Sequence, residues 1–169
     1  IDPANEIAAK AAAEGIPTVA DFFSESLGKE LLAEYGPAYL ITSHNTCAHV
    51  DDLVGLMRGV RDWLADDGLF IFEVGYLFDV YRNTWFDTIY HEHLRSLSVS
   101  SIVCLFKQYN FSVLKVNKTN RYGGNIRVLV RKGHHEKIDD SVANFVQSEK
   151  ELGFFKSSTY KNFRECAQD

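Results

Sequence analysis

Within nine residues, FDTIYHEHL (86–94), the chain places Tyr90, His91, Glu92 and His93 side by side between apolar flanks. Two imidazoles and a carboxylate are metal ligands, and His49 offers a fourth donor, as a metal-dependent hydrolase would need. The spacing fits a metal poorly. On a strand His91 and His93 share a face while Glu92 points away, and the HExxH helix pattern is absent. The same groups suit acid–base work better. A carboxylate beside an imidazole raises its basicity, and a phenol can donate to a developing enolate oxygen. In a loop, all four side chains can reach one pocket. A loop whose polar groups merely satisfy one another is the bland alternative.

A second group of polar residues follows short apolar runs, where open α/β sheets place their ligands. Asp2 stands at the start, Asp21 and Phe22 follow PTVA, Ser43, His44 and Asn45 follow AYLIT, and Glu73 follows LFIF. Asp2 suits a ribose-binding acid if a strand and a glycine-rich turn lie upstream, and equally suits a helix N-cap. Asp21 and Phe22 suit the edge and face of an adenine, or are structural. His49, in NTCAHVDDL, is expected at the beginning of a helix, where the dipole disfavours its charged form.

The elements that must carry these residues alternate. A helix is expected over 3–14 ending at Gly15, and IPTVADFF reads as a short strand and its exit. A helix from Ser24 to Tyr35 closes at Gly36, a strand covers 38–45, and Leu53, Met57, Val60 and Leu64 mark one face of the next helix. LFIFEV (69–74) is a further buried strand. Such alternation of apolar strands with helices predicts a parallel sheet covered on both faces. Beyond residue 75 the rhythm changes to a polar-aromatic loop (76–97), a helix at 99–109, strands at 111–116 and 125–132, and one long helix from Lys137.

Bulk composition removes several function classes. The chain has 169 residues, 46% hydrophobic and 24% charged, with a net charge of −5. That suits one core, and gives no basic surface for nucleic acid. Cys47, Cys104 and Cys166 form neither a disulfide framework nor a CxxC zinc pattern, so a reducing, cytoplasmic setting is expected. No apolar run reaches the roughly 18 to 20 residues that span a bilayer, and no membrane partner is expected. The start, IDPANEIAAK, reads like the end of a strand running into a helix. The expectation is therefore a cut through a domain.

Taken in order, NTCAHVDDL, FEVGYLFD, FDTIYHEHL and RYGGNIRVLV resemble the sugar C-methyltransferase family over about residues 1–131. The resemblance implies a Rossmann-like class I methyltransferase sheet, N-terminally truncated, over 1–132, and the helical start of a C-terminal α/β domain over 133–169. It implies S-adenosylmethionine as cofactor and a nucleotide-activated keto-deoxysugar as substrate, methylated at a ring carbon. The family's zinc lies in an N-terminal region absent here, so no metal is expected in this chain. The catalytic positions carry over to His93 as base, Glu92 as the group orienting it, and Tyr90 and His49 as donors to the enolate or a sugar hydroxyl. Asp2 takes the ribose role, with Asp21, Phe22, Ser43 and Asn45 completing the cofactor side. RYGGN departs from the more usual HGGS, with Tyr122 and Asn125 in place of histidine and serine. Two other readings stand beside this one: an O- or N-methyltransferase of the same fold, and a non-catalytic sugar-nucleotide-binding piece. Without the glycine-rich loop the 169 residues alone are expected to be inactive.

Overall fold

The structure is a computed structural model and describes residues 1–121 and 124–168. Tyr122, singled out above, lies outside the described residues. Four strands form one sheet: β1 (Ala38–His44), β2 (Leu64–Gly75), β3 (Phe111–Thr119) and β4 (Asn125–Lys132), in spatial order β1-β2-β4-β3. β1 and β2 run parallel, whereas β4 is antiparallel to both β2 and β3. The expected α/β sheet is therefore present, and β4 makes it mixed rather than purely parallel.

The helices are set by local signals. α1 (Asn5–Ala13) is the alanine-rich segment, and α2 (Glu25–Tyr35) starts where the Ser24 hydroxyl accepts from the amide of Leu27. α3 (Leu53–Trp63) carries β1 into β2, and its N-cap Asp52 accepts from the Gly55 amide at 2.8 Å. α2 and α3 cross with their backbones almost touching: a Cβ on Gly28 would stand 2.6 Å from the Gly59 carbonyl oxygen. Only glycine permits that approach. α5 (Val99–Gln108) opens on a capping box between Ser98 and Ser101.

The core lies between the sheet and α3 and α5. Phe70, Phe72 and Phe106 stack at its centre with Met57, Val60, Ile102, Ile126, Val128 and Val130 around them. Alternating burial along β3 and β4 and the buried run Phe72–Val74 of β2 follow from this placement. β1 differs from the expected strand covered on both faces: Tyr39 and Leu40 are exposed. Among the described strands it pairs only with β2, and its other side borders a cleft.

Four expected elements are corrected. Residues 16–23 form no strand, because the segment makes local bonds, Ile16 N–H to the Ala11 carbonyl, Thr18 Oγ1 to the Ile16 carbonyl and Phe22 N–H to Asp21, and one distant one, Asp2 N–H to the Val19 carbonyl, rather than a ladder. Loop 76–97 contains a short helix, α4 (Leu77–Arg82), and a 3-10 turn, Phe86–Thr88. His49 does not open a helix; it sits in a turn, three residues ahead of the N-cap Asp52. The long C-terminal helix is two, α6 (Asp140–Leu152) and α7 (Ser157–Cys166), broken where Gly153 takes the left-handed φ of 86°. α6 buries Val142 in the common core. No described helix is long and apolar enough to cross a membrane.

Candidate active site

At the C-terminal end of β1 the chain turns sharply. Asn45 extends the ladder by donating its amide to the Glu73 carbonyl, then adopts a left-handed φ of 53°, which asparagine tolerates better than most residues. This aims its side chain across the sheet, where its carbonyl accepts from the Asn125 amide at 2.8 Å. Asn125 also reaches Glu73, whose carboxylate is 1% exposed and receives both Nε and Nη2 of Arg127. Burial works to raise the Glu73 pKa, but the Arg127 guanidinium and the Asn125 amide outweigh it and hold the carboxyl below its ordinary value.

Beside this network lies a cavity of about 390 Å³, bounded by Asn45, His49, Tyr76, Trp85, Tyr90, His93, Arg95 and Asn125. His93 Nδ1 is 2.7 Å from the Thr88 carbonyl oxygen. A carbonyl only accepts, so Nδ1 carries the proton and Nε2 presents a lone pair. Tyr90 approaches that nitrogen with its hydroxyl at 3.4 Å, and its ring centroid is 4.3 Å from that of His93. His49 comes from the other side, ring centroid 4.8 Å from that of His93. Three of the four expected catalytic residues are thus brought together.

Glu92 is not among them. Its side chain is 62% exposed and lies 3.9 Å from His91, which faces solvent. The His93 ring is held instead by the Thr88 carbonyl, because the backbone turns at 88–93 and directs Ile89, His91 and Glu92 outward while Tyr90 turns in. A main-chain oxygen leaves no sequence signal. Among the described residues no group of three His, Cys, Asp or Glu side chains could hold a metal ion.

Arg95 was also invisible as a functional residue. Its guanidinium donates to the carbonyls of Cys47 and Val50 through Nη1, and to that of Asp51 through Nη2 at 3.1 Å. Tyr76, at the floor, gives its hydroxyl to the buried Glu149 of α6 at 3.0 Å. Burial first, and then the neighbouring Glu149 charge, push the phenol far above its ordinary pKa, so it remains a neutral donor. Burial likewise lifts the Cys47 thiol to about 11, which makes it inert.

The loop that closes the floor needs glycine at 124. Its φ is 151°, and a Cβ there would stand 2.5 Å from Oδ2 of Asp79. The Gly124 carbonyl in turn accepts from the Tyr76 amide.

A second and larger cleft, about 1070 Å³, runs along the free side of β1. Asp2, Asp21, Phe22, Ser43 and Asn45, the five residues expected on the cofactor side, all line it. Asp2 accepts from the Ala4 amide at 2.8 Å in a turn ahead of α1, whose N-cap is Ala4, and Asp21 accepts from the Phe22 amide at 2.7 Å. Each of those bonds occupies Oδ1 and leaves Oδ2 for a ligand. The Phe22 ring is 68% exposed. Asn45 and His49 line both cavities, so the two spaces meet at these side chains.

Residues 2–116 match the family described as a methyltransferase domain. The chain is 33% identical over 165 residues to the C-methyltransferase NovU of Streptomyces niveus, a match that takes in 96% of this chain and 39% of that protein's length. Among solved structures, an S-adenosylmethionine-dependent methyltransferase from Clostridium acetobutylicum superposes with a TM-score of 0.54 at 17% identity, over 77% of this chain and 71% of that one. One from Anabaena variabilis does so at 0.50 and 13%, over 73% and 63%. These likenesses extend the Rossmann-like fold to the described sheet. The chain belongs to the methyltransferase domain family.

Proposed function

We propose that this chain is part of an S-adenosylmethionine-dependent C-methyltransferase acting on a nucleotide-activated keto-deoxysugar. The observation that carries the reading is the junction of the two cavities at Asn45 and His49, beside the Nε2 lone pair of His93. The larger cleft fits the methyl donor in chemistry. It has carboxylate oxygens for ribose hydroxyls at Asp2, an exposed ring at Phe22 with Asp21 for a purine, and the polar side chains of Ser43 and Asn45 toward the junction. When bound, the sulfonium supplies an electrophilic methyl group that needs no activation.

The protein's own share is proton removal, charge stabilisation and positioning. A ring carbon beside a ketone is a poor nucleophile until its proton leaves. His93 Nε2 accepts that proton, and Nδ1, held by Thr88, keeps the ring oriented as it becomes imidazolium. The Tyr90 hydroxyl shifts from Nε2 to the enolate oxygen, with His49 as a second donor. Glu92, exposed beside His91, has no part in orienting the base in this reading. Residues 1–132 form the catalytic unit in this reading, and 133–169 open a C-terminal unit fastened to it through Glu149. The similarity to NovU supports carbon as the acceptor, although the chain spans only 39% of that relative.

The test is solvent deuterium exchange in the full-length protein, with S-adenosylhomocysteine in place of the donor. Exchange at the carbon beside the ketone of a nucleotide keto-deoxysugar is expected. His93→Ala should slow it by ~10²–10⁴-fold, the usual worth of a general base, while calorimetric binding of S-adenosylhomocysteine is retained. Methylation at oxygen or nitrogen without exchange would overturn the reading.

A further inference from the structure

The turn that carries His49 is a single helical turn: the amides of His49 and Val50 both donate to the Thr46 carbonyl. One turn cannot satisfy its own terminal carbonyls, and its C-terminal end carries a partial negative charge. Among the described residues, the carbonyls of Cys47 and Val50 accept no backbone amide and that of Asp51 accepts only the Leu53 amide, and all three accept from one guanidinium, that of Arg95. The donor comes from 44 to 48 residues downstream. It stands two positions after His93 in the chain.

We infer that Arg95 is a positioning residue, a cap in trans that fixes the His49 turn against the His93 loop. Its planar fork matches this use, since two nitrogens serve three carbonyls and remain charged at any working pH. A lysine presents one compact charge, too small a span for all three. The structure commits its donors to backbone. The rings of His49 and His93 come to 4.8 Å as a consequence, although neither side chain hydrogen-bonds the other. The geometric part of this inference stands without the proposed reaction; only its effect on rate rests on that reading.

Two readouts on the full-length protein test it. With ring-labelled histidine, the wild type should show a nuclear Overhauser contact between the His49 and His93 rings. Arg95→Ala should lose that contact with core methyl resonances unchanged. In deuterium exchange, Arg95→Ala should lower kcat by about 10²-fold, the scale of a displacement near 1 Å, with the KM of the sugar nucleotide little altered. Arg95→Lys should recover part of the rate, and serves as the deciding variant if the alanine protein fails to fold. A retained contact with an unaltered kcat in either variant overturns the inference. So does a loss confined to KM, which would make Arg95 a substrate-binding group. If the wild type catalyses no exchange at all, the proposed function fails, while the ring contact still decides the role of Arg95.

Discussion

The two cavities that meet at Asn45 and His49 are walled in opposite ways. Around the smaller one, local bonds hold His93 to Thr88 and Tyr90, but most of the wall is fixed by bonds between distant parts of the chain: Asn125 to Asn45 across 80 residues, Arg127 to Glu73 across 54, Tyr76 to Glu149 across 73, Arg95 to the 47–51 turn. Along the larger cleft, the outer wall relies on neighbours bonding to neighbours. Asp2 holds Ala4, Asp21 holds Phe22, Thr18 holds Ile16, and one longer bond joins Asp2 to Val19. Ile1, Phe22, Tyr35 and Leu40 are exposed on the cleft side, and Tyr90 and His49 at the smaller cavity are exposed as well. A site that must hold an imidazole to within a fraction of an ångström needs long-range constraint. A cleft that grips a large cofactor by its outline tolerates a softer wall, and amide exchange should be slower around the small cavity than along residues 16–23.

The most damaging way to erase this contrast is to remove Glu149. The carboxylate is fully buried and accepts from Tyr76 Oη, from the Val99 amide at 2.6 Å and from the Ser100 amide at 2.9 Å. It therefore both completes the N-terminus of α5 and fastens the floor of the small cavity. Glu149→Ala leaves three donors without a partner, at about 1–3 kcal/mol each before relaxation, so a net loss of about 3–5 kcal/mol is expected. Urea unfolding would read this as a lower midpoint. A loss below about 1 kcal/mol would show that water replaces the carboxylate, and that the small cavity is less constrained than its bonds imply.

A smaller and pH-dependent perturbation isolates the Glu73 network. Because the folded pKa of Glu73 is depressed, its contribution is complete above the unfolded value of about 4.3 and is withdrawn as pH falls through the folded one. In Arg127→Met, burial acts with less opposition and raises the carboxyl instead. The sign then reverses, and the variant loses stability as pH rises through about 4.3. The gap between wild type and variant should thus open from little at pH 3 to about 2 kcal/mol at pH 7, a value discounted for the partial exposure of Arg127. Parallel stability curves across that range would remove Glu73 from the account.

How legible all this was in the sequence depends on the kind of group involved. The strands β1 to β4 and helices α2, α3 and α5 were readable because apolar periodicity and caps are local signals, as at Ser24 and Ser98. Tyr90, His93 and His49 were readable as candidates, and the structure brings all three to one cavity. What escaped was whatever a distant partner decides. The Thr88 carbonyl has no residue type to betray it. Arg95 and Glu149 look like surface charges until the fold brings three carbonyls to one and three donors to the other. Residues 16–23 have a strand's composition, but pairing is a property of neighbours and not of composition.

The finest test concerns the residue on which sequence and structure part company. By spacing and by resemblance, Glu92 should orient His93 and raise its basicity. In the structure the Thr88 carbonyl holds Nδ1, and Glu92 is turned to solvent beside His91. An exposed carboxylate with no hydrogen bond to the imidazole acts on it only through charge that solvent screens. Glu92→Gln should therefore slow exchange by less than about fivefold and leave its pH profile in place. A loss as deep as that of His93→Ala would mean that segment 88–93 refolds around the substrate and trades the Thr88 carbonyl for the carboxylate. The small cavity would then lose its claim to be the preformed half of the pair, because the group orienting its base would arrive only with the ligand.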